Sequence, residues 1–211
     1  MLTIARAASS DTDEIIALRH AAEDWLAARG ITQWTPREIP GSIIHRQVEA
    51  GEFYVARHGD QPTVIGACRL TWSDPDIWAD RDRFAGYLHT LIIARDHAGV
   101  GLGRSLLEWA AVTARQAGAD LLRLDCVESN PALCDYYLRA GFSRVGRRDL
   151  GSGLNSVTLF ERPLVDRRFA NSEPASGQSD DQRAPSISAR PEPDGLLPST
   201  YSRVWVVRRD R

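Results

Sequence analysis

The stretch Leu91-Ile92-Ile93-Ala94-Arg95-Asp96-His97-Ala98-Gly99-Val100-Gly101-Leu102-Gly103-Arg104 constrains the fold more than any other part of the chain. It reads as an apolar strand, a short polar loop and three alternating glycines that open a helix. Glycine lets backbone approach a ligand closely, and the first N–H groups of a helix have no partner inside it. Those groups and the positive end of the helix dipole favour a phosphate. Spacing narrows the choice. The dinucleotide fingerprint GxGxxG is excluded, because its third glycine falls on Arg104 when counted from Gly99 and on Leu106 when counted from Gly101. A P-loop is excluded because no lysine follows. All 26 basic residues are arginines, which also rules out Schiff-base chemistry on an internal lysine.

Elements alternate around this turn. Leu2–Ala7 reads as a short strand. A helix follows with Asp11 as N-cap and Glu14 three residues on, the spacing of a capping box. Its apolar positions Ile15, Leu18, Ala22, Trp25 and Leu26 recur at helical spacing, and Gly30 ends it. A linker with Trp34 and Pro36 leads to a second helical stretch, Ile43–Ala50. Glu52–Arg57 and Thr63–Trp72 form a hairpin around Gly59-Asp60. Gly86–Ala94 is a longer strand, Leu102–Ala117 a helix ending at Gly118, Leu121–Val127 a strand and Pro131–Ala140 a short helix. Strands Ser143–Arg147 and Ser156–Phe160 close the domain. This mixed order implies an α/β or α+β fold around one central sheet.

Composition shifts after Leu164. Asp166–Pro193 is dominated by Ser, Pro, Asp, Arg and Gln and holds almost nothing to bury. Residues 1–164 are therefore expected to form the domain and 165–211 a low-complexity, disordered tail. Val204–Val207 near its end is apolar again. That segment reads either as a strand docking on the domain or on a second chain, in a homodimer, or as a sticky terminus. With 26 basic against 28 acidic side chains, the chain lacks the basic excess of a nucleic-acid or membrane-surface binder. Cys68, Cys126 and Cys134 are odd in number without CxxC spacing, which points to free thiols in a reducing compartment. The five histidines show no HxH, HExxH or Cys/His cluster, so no metal is expected. Met1–Glu14 lacks the basic start and apolar core of a signal peptide. No run approaches the roughly 20 apolar residues of a spanning helix, so a cytoplasmic location is expected.

The glycine turn resembles the acetyl-CoA motif of the GNAT superfamily of N-acetyltransferases, Gln/Arg-x-x-Gly-x-Gly/Ala between a strand and a helix. Here its two glycines fall on Gly101 and Gly103 and its signature strand on Leu91-Ile92-Ile93. Ala98 occupies the Gln/Arg position, a departure for which Arg104 is the available substitute. Asn130, Tyr137 seven residues on, and Gly141-Phe142 match a second block. The resemblance covers Leu2–Leu164. It implies a mixed, mostly antiparallel sheet of about six to seven strands with splayed central strands, flanked by about four helices. It also implies transfer of an acetyl group from acetyl-CoA to an amine of a small molecule or peptide.

Carried over by position, the resemblance implies that backbone groups of Leu91, Ile92 and Ile93 pair with the pantetheine arm as an added strand. N–H groups of Gly99, Val100, Gly101, Leu102, Gly103 and Arg104 would hold the pyrophosphate, and Asn130 would touch the cofactor. Tyr137 would protonate the departing thiolate. Two of these residues also have plain structural roles. Asn130-Pro131 is what a helix start requires, and Tyr137 lies on the apolar side of its helix with Tyr136, Leu133 and Ala140. Attack on the thioester needs a neutral amine, so a proton must leave. Asp125, Glu128 and His89 are the candidate acceptors of that proton. His89 alternates with Tyr87, Leu91 and Ile93 on one strand face and is equally readable as a hydrogen-bonded histidine inside the sheet. Trp34, in a loop beside Thr35-Pro36, is the candidate acceptor contact. A non-catalytic acyl-CoA-binding regulatory module of the same fold is the alternative reading.

Overall fold

Seven strands form one sheet: β1 (Leu2–Arg6), β2 (Phe53–His58), β3 (Gly66–Thr71), β4 (Ala85–Ile93), β5 (Leu121–Val127), β6 (Ser143–Arg148) and β7 (Val157–Pro163), in the order β1-β2-β3-β4-β5-β7-β6. The structure, a computed structural model, describes residues 1–79, 83–151 and 156–164. The expected tail 165–211, with Val204–Val207, lies outside the described residues. Every neighbouring pair is antiparallel except β4 and β5, which run parallel. Parallel neighbours need a crossover, and helix α4 (Leu102–Gln116) supplies it. Every residue of β4 and β5 is buried, as central strands covered on both faces require. β6, at the sheet edge, is exposed along its whole length and carries Arg144, Arg147 and Arg148, the kind of charge that blunts an open edge.

The remaining helices are α1 (Thr12–Ala27), α2 (Gly41–Glu49), α3 (Pro75–Trp78) and α5 (Pro131–Arg139). Among the described residues, four of the five α-helices match the expected ones. The single turn α3 was not expected; Pro75 at its first position starts it, too briefly for any periodicity to show. The capping box at α1 is a correction. Asp11 stands at the N-cap, but its carboxylate accepts the Ala8 N–H at 2.9 Å and pairs with Arg57 at 2.7 Å. Glu14 likewise turns away and accepts the Val64 N–H at 2.8 Å. Tertiary partners won over the local cap.

α4 buries Leu102, Leu106, Leu107, Ala110 and Ala114 at helical spacing against Leu88 and Leu91 of β4 and Leu122 and Leu124 of β5. It thus clasps both central strands. α1 and α2 cover the other end of the sheet through Ile15, Ile44 and Val48 on Phe53, Val55 and Ala67. After α1 the chain is fixed by charge. Arg19 pairs with Glu23 at 2.7 Å inside the core, its guanidinium lies 3.9 Å from the Trp34 ring centroid, and Glu23 accepts the Arg37 N–H at 2.8 Å. Arg37 is held at φ +63°, a conformation unusual for a side chain with a Cβ.

Gly86 marks the closest approach of α4 to the sheet: a Cβ there would lie 2.9 Å from the Ala114 Cβ. Gly86→Ala should therefore overpack this contact and cost about 1–3 kcal/mol. The effect should appear as a lower urea midpoint with an unchanged slope.

Candidate active site

Strands β4 and β5 pair at only three positions, Ala85↔Leu121, Gly86↔Leu122 and Tyr87↔Arg123. Beyond that rung β5 continues beside β7 as far as Val127↔Val157, while β4 continues beside β3 as far as Gly66↔Ile93. The central strands therefore splay, as expected, and a gap opens at their C-terminal ends. β4 also carries one extra residue between Ala67↔Ile92 and Arg69↔His89, and Thr90 there takes φ +49°. A β-branched residue at positive φ is strained, and such strain concentrates at functional sites.

Alternation along each strand sends neighbouring side chains to opposite faces. On one face Arg123 donates to Tyr87 Oη at 2.8 Å and to Glu161 at 2.9 Å, beside Trp78. Two residues on, at the mouth of the gap, the same face presents His89 from β4 and Asp125 from β5. Asp74, the residue before α3, joins them: one ligand-type atom from each of the three lies within 4.8 Å of the others. All three are buried, at 3 % exposure for Asp74, 1 % for His89 and 0 % for Asp125. Thr71 Oγ1 donates to Ser73 O at 3.3 Å and lies 3.1 Å from His89 Nε2. Burial, and then the charge of Arg69, holds the His89 pKa well below 6.5, so the imidazole is neutral.

The opposite face belongs to α5. Cys126 of β5 lies 3.6 Å, sulfur to sulfur, from Cys134 of α5, and both remain free thiols, as does Cys68. Tyr137, one turn on from Cys134, is fully buried among Tyr136, Phe142 and Phe160, with ring centroids 5.5 to 6.0 Å away. Its hydroxyl has no hydrogen-bond partner among the described residues. Burial, the thiols Cys126 and Cys134, Tyr136 and Asp125 together push its pKa well above 10, so it holds its proton. Tyr136 is only half-buried, so the two tyrosines diverge as their positions on the helix require.

The glycine turn lies at the same end of the sheet. Gly99 and Gly101 take φ +84° and +89°, and Gly101 is the N-cap of α4 with no side-chain cap on the helix. A Cβ on Gly101 would meet nothing within 4 Å, so glycine is required there by conformation and the space beside it is open. The N–H groups of Leu102, Gly103 and Arg104 belong to the uncapped first turn, the arrangement that suits a phosphate. Leu102 and Gly103 are buried, whereas Val100 and Arg104 are exposed. Side chains of Leu91, Ile92 and Ile93 are buried in the strand leading into the turn.

Asn130 does what its position before Pro131 suggests: Oδ1 accepts the Leu133 N–H at 3.1 Å and caps α5. Its Nδ2 donates to Gln33 at 2.9 Å, tying α5 to the loop that follows α1. Trp34, next to Gln33, is 2 % exposed beneath Arg19. Glu128 stands apart, paired with Arg147 at 2.8 Å near the surface. Asp74 was missed from sequence. Its signal was the dipeptide Asp74-Pro75, a twin of Asn130-Pro131, but its carboxylate makes no cap on α3.

Comparison with known proteins bears on the family and the fold. Residues 17–142 match the acetyltransferase (GNAT) family. The N-acetyltransferase YesJ of Bacillus subtilis (strain 168) is 30 % identical over 161 residues, 74 % of this chain and 86 % of YesJ. A GNAT-family acetyltransferase structure from Listeria monocytogenes gives a TM-score of 0.66 at 26 % identity, covering 77 % of this chain and 94 % of that one. YncA from Salmonella typhimurium, solved with its cofactor acetyl-CoA, gives a TM-score of 0.58 at 20 % identity over 79 % of this chain and 95 % of its own, a likeness of fold.

The neutral, buried state of His89 has a consequence for stability. Below 6.5 the unfolded chain protonates this histidine and the folded one does not, so the unfolded state binds the extra proton. Stability should fall as pH drops through that value. Urea unfolding from about pH 8 to about pH 5 should show a shallower acid loss in His89→Gln than in the parent chain.

Proposed function

Because this chain belongs to the GNAT family of acetyltransferases, we propose that it moves the acetyl group of acetyl-CoA to an amine of a small molecule or peptide by direct attack. One observation carries the mechanism: a proton holder and proton acceptors stand on opposite faces of a single gap, at the end of the sheet where the glycine turn lies. The uncapped turn at Gly99–Arg104, the open space at Gly101 and the edge Leu91–Ile93 fit the pyrophosphate and pantetheine arm of acetyl-CoA. Asn130 keeps one N–H and one lone pair beyond its two structural bonds, enough for a cofactor contact. The loop that Gln33 ties to α5 walls the acceptor side, with Trp34 itself buried beneath Arg19.

Acetyl-CoA supplies an activated thioester carbon. His89, neutral through burial, takes the proton that the amine loses as its nitrogen bonds to that carbon. Asp125, across the gap, stabilises the resulting imidazolium. As the carbon–sulfur bond breaks, Tyr137 Oη gives its proton to the sulfur. A phenol that is buried and held protonated is suited to that step.

Acetyl-CoA at about 100 times its Kd should add roughly 2.7 kcal/mol, read as a thermal shift. Gly101→Val should abolish that shift and leave the circular dichroism nearly native; an equal shift in the variant removes the turn from the site. Tyr137→Phe should lower turnover by about 10²–10⁴ while acetyl-CoA binding changes little. The substitution keeps the ring packing, so a purely structural Tyr137 predicts near-normal release of free thiol. The assay is thiol release from acetyl-CoA across a panel of amines, peptides and aminoglycosides.

A further inference from the structure

Two thiols take no part in the transfer chemistry and yet lie beside it. Cys126 of β5 and Cys134 of α5 stand 3.6 Å apart, sulfur to sulfur, and both are free. We propose that this pair is an oxidation site: hydrogen peroxide links the two sulfurs in a disulfide that ties α5 to β5 beside Tyr137 and switches transfer off. The switch rests on the acetyl-transfer reading; the oxidation site itself rests on the sulfurs.

The sulfurs already touch, and a further approach of about 1.5 Å brings them to bonding distance. They are also unequal. The Cys126 S–H, the Arg144 guanidinium and the Thr158 side chain together bring the Cys134 pKa below its ordinary value, against burial and the charge of Asp135. Cys134 belongs to the N-terminal half of α5, where the helix dipole favours a thiolate. Cys126 is pushed well up, first by its bond to Cys134 and then by burial. One sulfur is thus the nucleophile and the other the resolving thiol, the division of labour in redox-sensing pairs. Cys68 on β3 is the contrast, since burial alone pushes its thiol up to about 12. Both sulfurs of the pair are buried, but Asp135, next along the chain, and Arg144, whose charge acts on Cys134, are exposed. The pair therefore lies one side chain below the surface, within reach of a molecule as small as peroxide.

The Cys134 thiolate attacks one peroxide oxygen, the O–O bond breaks, and the other oxygen takes up the proton that Cys134 had lost and leaves as water. Cys126 then attacks the sulfenic acid at sulfur. The S–O bond breaks, and the departing hydroxide leaves with the Cys126 proton as a second water. The two thiols give up two electrons and peroxide receives them. Tyr137 follows Cys134 by one turn of α5, and its pKa responds to both thiols. A link that draws Cys134 towards β5 moves the phenol with it, and a displacement of about 1 Å can cost about 10²-fold in rate.

The test exposes the full chain, freed of reductant, to hydrogen peroxide. Free thiols should fall from three to one, the cross-linked peptide should join Cys126 to Cys134, and Cys68 should stay reduced. Thiol release from acetyl-CoA, measured once peroxide is removed, should fall at least ten-fold and return with dithiothreitol. In Cys126→Ala, dimedone should trap a sulfenic acid on Cys134; in Cys134→Ala it should trap none. The peptide map of the parent chain decides the matter even if neither variant folds. Three free thiols after treatment, a link that includes Cys68, or a link between two chains overturns the site. A Cys126–Cys134 link with turnover unchanged overturns the switch. The same link in a chain that releases no thiol with any amine upholds the oxidation site and removes the enzymatic reading.

Discussion

Arg123 is buried in β5 opposite Tyr87, at the last rung that joins the two parallel strands. A guanidinium inside a sheet is tolerated only where its donors are met. Here Nε reaches Glu161 of β7, Nη1 reaches the Tyr87 hydroxyl of β4, and the Trp78 ring lies 5.1 Å away. One cation thus joins three strands at the foot of the gap. Above it, β4 turns towards β3 with an extra residue at Thr90 and β5 stays with β7. The site residues are those two positions further along each strand, carried on the same alternation as Tyr87 and Arg123. Where the rung sits decides which side chains face the opening.

Much of this was legible because the rules involved are local. A strand, alternating glycines and a helix announce a turn whatever surrounds it, and Asn130-Pro131 announces a helix start. Both hold, with Gly101 at φ +89° and Asn130 capping Leu133. Helix geometry shows that Tyr136 and Tyr137 cannot face the same way, the resemblance's spacing to Gly141 singles out Tyr137, and the fold buries it while half-exposing Tyr136. What failed to show in sequence depends on partners brought from afar. Asp11 and Glu14 have the spacing of a capping box, yet Arg57 and Val64 claim their carboxylates. Trp34 sits in a loop, where exposure is the ordinary expectation, but Arg19 reaches over it from α1. Asp74 carries no periodicity at all. Only the meeting of three elements gives it neighbours.

The two faces of the gap differ in chemistry as well as in position. On the α5 side the lining is thiol and aromatic, Cys126, Cys134 and Tyr137, and burial keeps the proton on the phenol. On the α3 side it is carboxylate and imidazole. Burial acts on both sides but in opposite senses. It denies the phenol its anion and the imidazole its cation, leaving the protonation states that the proposed roles require.

The three-rung seam has a mechanical meaning. Backbone hydrogen bonds bind β1 to β4 into one leaf and β5 to β7 into another, and between the leaves only Ala85–Tyr87 and Leu121–Arg123 are laddered. Cohesion across the rest of the boundary comes from α4, whose leucines and alanines touch both leaves. Side-chain packing resists separation without fixing direction as a ladder does. The leaves are therefore joined like the covers of a book, with Arg123 at the spine and α4 as a compliant binding. A molecule lying between them touches strands from both leaves at once.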